Sequence, residues 1–152
     1  MSVRTSPPDL SRAEESAWLE LLGVLESLTP EQMDRPGYYP EGWSVKDLMA
    51  HVASWQAEAG QVLEQIWNGT FEADMAPTDE MNQRFFEANK DLPLPVVWAE
   101  LYSSRTRMLV ALNALSELTA EAVEWFVESG VEHYEEHLGR LRDWAKELQA
   151  AS

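Results

Sequence analysis

The chain has 152 residues, with 27 acidic and 11 basic side chains, a formal net charge of −16, seven Trp and no Cys. The length suits one domain with a sizeable core, and the lack of Cys excludes disulfides, Cys-ligated zinc, iron–sulfur clusters and thiol nucleophiles. So acidic a chain is expected to bind neither nucleic acid nor an anionic membrane surface, because both are held through clustered Lys and Arg.

Residues 1–10 hold Pro7 and Pro8 and show no apolar run after a basic start. They read as a flexible tail and not as a signal peptide, ahead of a single domain over 11–152. No stretch approaches the ~18 apolar residues of a membrane-spanning helix. A soluble, cytoplasmic protein is expected, and the composition fits a reducing compartment.

Proline placement organises the rest. Two long segments, Glu41–Ala76 and Val96–Ser152, contain none, so long helices fit there. Helix one is expected from Ser11 to Leu28. Ser11 and Glu14 have capping-box spacing, and Trp18, Leu21, Leu22, Leu25 and Leu28 form one apolar stripe. Thr29–Pro30 opens a turn, and Arg35-Pro36-Gly37 with Pro40-Glu41-Gly42 marks an irregular loop. Helix two begins at Ser44, has Asp47 at its third position, and stops at Asn68 before Gly69. A long connection follows from Thr70 to Pro95, holding a short helix from Thr78 to about Asn89. Helix three runs from about Val96 to Leu115. Thr119 caps a further turn, and the last helix covers about Val123 to Leu148, with Gly130 the one position inside it that could interrupt it. Four main helices and one crossover predict an all-α four-helix bundle. Most of the Trp residues should serve helix–helix contacts in such a bundle.

The chain's three histidines are His51, His133 and His137. His51 lies within the stripe Leu48, Val52, Trp55 of helix two. His133 and His137 are four apart, hence on one face of a helix, and that face continues through Leu141, Trp144 and Leu148. All three therefore point inward, where an imidazole needs partners. A shared divalent metal would satisfy them together and leave a position open for water or substrate, as in catalytic sites. The alternative reading, satisfied core histidines without metal, carries similar weight on spacing alone. The chain has Tyr134 where a zincin has Glu after the first His. Glu132, Glu135 and Glu136 read as a solvated face. Asp47 reads as a helix cap or as an orienting partner of His51.

The stretch Gly42-Trp43-Ser44-Val45-Lys46-Asp47-Leu48-Met49-Ala50-His51-Val52-Ala53-Ser54-Trp55 resembles the opening of helix two in the DinB-like superfamily. That superfamily includes the N-terminal domain of mycothiol-dependent maleylpyruvate isomerase. Glu132-His133-Tyr134-Glu135-Glu136-His137-Leu138 is similar to its second metal motif, and Thr78–Leu118, with Asn82, Phe85 and Asn89, resembles the ClbS/DfsB branch, which includes a self-protection protein against a genotoxin. The resemblance implies an up-down-down-up bundle with a long crossover between helices two and three. It also implies frequent dimers, and zinc or nickel held by His51, His133 and His137. The chain lacks the C-terminal domain that accompanies the bundle in the isomerase, so that reaction is not expected.

The leading functional expectation is a metal-dependent detoxification or resistance enzyme. A low-molecular-weight thiol such as mycothiol or bacillithiol, or water, would attack a small electrophile in S-transfer or hydrolysis. Pocket candidates are Trp55, Asn82, Arg105 and Tyr134. A binding protein that sequesters a toxin without turnover is the alternative, and a structural bundle is a third. Enzyme and binder are not separated by the sequence.

Overall fold

Prolines and side-chain caps set where the helices begin. A computed structural model describes residues 6–151 and contains seven helices. Helix α1 covers Pro7–Glu26, with the Ser6 hydroxyl accepting from the Asp9 N–H. Pro7 and Pro8 occupy the first helical positions, where a missing N–H costs nothing and φ is already helical. The helix therefore starts ahead of the expected Ser11, whose hydroxyl is buried inside it without a partner. Pro7–Leu10, expected in the tail, are helical, and Leu10 is buried. Residues 1–5 of that expected tail lie outside the described residues.

The short α2, Pro30–Asp34, is held by a Thr29–Gln32 capping box. Helix α3, Val45–Asn68, opens on the reciprocal Ser44–Asp47 box and stops at Gly69, whose φ of 77° is the left-handed conformation that ends helices. Helix α4 is Thr78–Asn89. Helix α5, Leu94–Ala114, is capped by Pro93 and takes Pro95 into its first turn. Thr119 caps α6, Ala120–Ser129, and α7 is Val131–Ala150. The expected last helix is thus two helices. Gly130 breaks it with φ −104° and ψ −106°, and a Cβ there would meet the Phe126 carbonyl at 2.8 Å.

Among the described residues the fold is all-helical, and α1, α3, α5 and α7 form the bundle. Val45, Leu48 and Ala53 at the start of α3 share one core with Val97 and Leu101 at the start of α5. Ala59 and Leu63 share a second core with Met108 and Leu112 near the helix ends. Those two helices are therefore parallel. Helix α1 opposes them, with Leu10 in the second core and Leu21 and Leu25 in the first. Helix α7 follows α1, since Tyr134 bonds Glu14 and Gln149 bonds Ser27. The order is up-down-down-up. Helix α4 makes it possible by returning along α3, tied there by Trp55–Asn82 and Ser54–Asn89 hydrogen bonds. Leu21, Leu48, Leu101 and Leu141 are fully buried in the first core, each contributing ~2 kcal/mol of apolar transfer. Among the described residues no helix is long and apolar enough to cross a membrane.

Candidate metal centre and ligand cavity

His51 stands early in α3, and His133 and His137 stand one turn apart on α7. His133 Nε2 lies 3.0 Å from His51 Nε2 and 3.1 Å from His137 Nε2. The residues His51, His133 and His137 are 9%, 8% and 5% exposed. Burial, and then the neighbouring His137, lowers the pKa of His51 to about 4. Burial and both neighbours lower His133 to about 2. Burial also lowers His137, against an opposing pull from the Glu136 carboxylate. All three rings are neutral at pH 7, the form that ligates metals.

The arrangement fits a shared cation. Three ligands at roughly 2.0–2.1 Å from one ion, at angles between octahedral and tetrahedral, sit about 2.8–3.4 Å apart. The two separations that involve His133 fall within that range, and all three ligand atoms lie within 4.8 Å of one another. Without a cation, the single Nε2 of His133 must serve two neighbours, while the Nδ1 atoms of His51 and His133 have no hydrogen-bond partner. A cation gives all three lone pairs one partner. An all-imidazole donor set suits zinc, nickel or copper better than calcium or magnesium.

His137 is oriented by the loop before α3. Tyr39 Oη lies 2.9 Å from His137 Nδ1. The Gly37 and Tyr38 N–H groups both donate to the Trp43 carbonyl, which tightens the loop. Arg140 on α7 donates to the Tyr38 carbonyl at 2.8 Å and to that of Gly37 at 3.2 Å, which fastens it to the metal helix. Asp47 accepts from the Ser44 N–H and hydroxyl, so its carboxylate acts as the α3 cap.

The three histidines line a cavity of about 750 Å³. Trp55 and Asn82 also line it, and the Trp55 Nε1–H donates to Asn82 Oδ1 at 2.7 Å. Arg105 and Tyr134 are placed elsewhere. Arg105 donates twice to Glu14, at 2.8 and 2.6 Å, and the fully buried Tyr134 hydroxyl donates to Glu14 at 2.7 Å while accepting from Gln56 at 2.8 Å. Both serve a polar network between helices, because the buried Glu14 carboxylate needs every donor it can reach. Glu136, expected on a solvated face, is exposed but sits at the cavity rim. Sequence reasoning missed the aromatic walls Tyr39, Trp43, Phe86 and Trp125. Trp43 lies inside the first family motif, and its place beside that motif's His was the available signal.

The sequence matches the family described as the mycothiol maleylpyruvate isomerase N-terminal domain over residues 15–148. No curated protein matches the chain. Solved structures share its fold, among them the following two. One is the colibactin self-resistance protein ClbS in complex with dsDNA, 20% identical, TM-score 0.79, covering 94% of this chain and 97% of that one. The other is an uncharacterised protein from Escherichia coli UTI89, 19% identical, TM-score 0.78, covering 97% of this chain and 96% of that one. The ClbS complex overturns the expectation that a chain of this kind has no nucleic-acid partner. The physical reason is that net charge sums over the whole surface, whereas a duplex is held by whatever local patch meets it. By its motifs, its bundle and its three-histidine centre, the chain belongs to the mycothiol maleylpyruvate isomerase N-terminal domain family of the DinB-like superfamily.

Proposed function

We propose that the chain is a cytoplasmic small-molecule resistance or detoxification protein that works through a divalent metal held by His51, His133 and His137. The observation that carries this reading is the convergence of three neutral, buried Nε2 atoms on one wall of a cavity large enough for a drug-sized molecule. When bound, such a metal supplies Lewis acidity and makes a thiol or water acidic at neutral pH. The protein's part is positional. Tyr39 holds the His137 ring, Asn82 and Trp55 fix one another at the wall, and the aromatic residues exclude water from a ligand's body. Thiol transfer to an electrophile and hydrolysis of one are both compatible with that arrangement.

Sequestration without turnover is the second reading. It is favoured by the exposure of the cavity's carboxylates, none of which hydrogen-bonds a histidine among the described residues. Duplex DNA enters as a partner through the likeness to ClbS. Incubation of zinc- or nickel-loaded protein with a panel of electrophiles, with and without mycothiol, bacillithiol or glutathione, separates the readings. Product beyond one equivalent supports catalysis, and stoichiometric capture alone supports sequestration. A salt-dependent gel shift with a short duplex tests the DNA partner.

A further inference from the structure

The cavity's own charge pattern narrows the ligand. This step rests on the reading that the cavity is the ligand site. Four charged side chains line it, Glu41, Asp79, Glu128 and Glu136, and all are acidic. They come from four separate elements, the loop before α3, then α4, α6 and α7, and all four are exposed. Among the described residues none of the four is in an ion pair, although nine pairs form elsewhere. Burial, and then the neighbouring Glu124 and Glu132 carboxylates, raise the Glu128 pKa.

Behind the rim the walls are aromatic. Trp43 and Phe86 stack at 5.6 Å with an interplanar angle of 3°, and Trp43 leans over His51 at 5.4 Å. Among the described residues the cation–π contacts use Trp18, Tyr38 and Trp144, so no described Arg covers a cavity ring. An aromatic face attracts a cation, most where water is excluded. A metal ion alone has no use for such walls, and an anionic ligand would enter against the carboxylates.

We propose that the cavity selects small molecules that carry a positive charge beside an apolar or aromatic body, and rejects anionic ones of the same size. A bare inorganic cation satisfies only the rim, and a neutral aromatic only the walls. Among thiols and electrophiles, those bearing carboxylates or phosphates are disfavoured.

The test is calorimetric titration of the purified full chain with benzyltrimethylammonium and with phenylacetate, after dialysis against a chelator so that a carboxylate gains no metal contact. The ammonium probe cannot coordinate a metal and reads the rim and walls alone. It is expected to bind about tenfold or more tightly than phenylacetate. The exposed-rim double variant Glu128→Gln/Glu136→Gln should weaken it by about tenfold, whereas Glu117→Gln/Asp143→Asn, an equal charge change away from the cavity, should alter it less than about twofold. Absence of ammonium binding, equal or tighter phenylacetate binding, or equal loss in both double variants would overturn the proposal. Zinc titration of the wild-type chain is run beside it. If zinc fails to bind while the ammonium preference holds, the metal reading fails and the cavity's selectivity stands.

Discussion

His51 on α3 and His133 on α7 bring their Nε2 atoms within 3.0 Å of each other across 82 residues of sequence. Hydrophobic packing alone gives no reason for two imidazoles to face one another in a core, since each loses its water on burial. The contact makes sense as a preformed ligand set. It also gives the metal-free protein a weakness in acid.

That weakness has a definite sign. A free imidazole titrates near ~6.5, and His51 in the folded chain titrates at about 4, with His133 and His137 also lowered. Above the unfolded value neither state binds the protons, so stability is unaffected. Below it the unfolded chain takes up protons that the folded chain refuses, so stability falls as the pH drops from about 6.5 towards 4, by up to ~1.4 kcal/mol per unit for each ring. Urea midpoints in chelator should be lower at about pH 5.5 than at about pH 7.5, with a shallower dependence in His133→Gln. Equal midpoints would count against buried neutral histidines.

Glu14 is fully buried and accepts from Arg105 and Tyr134. Replacing Glu14 with Ala leaves a largely buried guanidinium and a buried hydroxyl without their acceptor, and should cost ~3–5 kcal/mol. Tyr134→Phe removes one hydroxyl from the same network and should cost only ~1–2 kcal/mol. Chemical denaturation of the two variants checks the ratio. Similar costs would mean that the network is not organised around the carboxylate.

Gly37 holds φ at 120°, and a Cβ there would lie 2.8 Å from the Trp144 indole. Gly37→Ala should cost ~1–3 kcal/mol in strain. It should also weaken metal binding, because the same loop carries Tyr39 onto His137. Tyr39→Phe should weaken metal binding with much less effect on stability. Metal titration and thermal melts of both variants separate the two effects.

Much of the frame was readable from local chemistry. The Ser44–Asp47 box, the Gly69 stop and the helix from Thr78 to Asn89 were legible because each depends on residues a few positions apart. His133 and His137 were placed together by helix spacing. What the sequence concealed was mostly long-range. Nothing local announces that Tyr134 faces Glu14, 120 residues away, or that Tyr39 reaches His137, 98 residues away. Polar residues on bundle helices look alike whether they line a cavity or satisfy a buried charge, which is why Arg105 and Tyr134 were expected in the pocket. The start of α1 was hidden by the double role of proline, which breaks helix interiors but suits their first turn. The nucleic-acid expectation failed because a total charge was made to answer a question about a local surface.

The most direct test is the metal content of untagged protein, measured by plasma mass spectrometry after isolation without chelator, for the wild-type chain and for His137→Ala. The account predicts about one zinc or nickel per wild-type chain and a loss of about tenfold or more in metal affinity for the variant, with helical content retained. A wild-type chain that takes up no transition metal even when loaded, or a His137→Ala chain that binds it at full strength, would contradict the account.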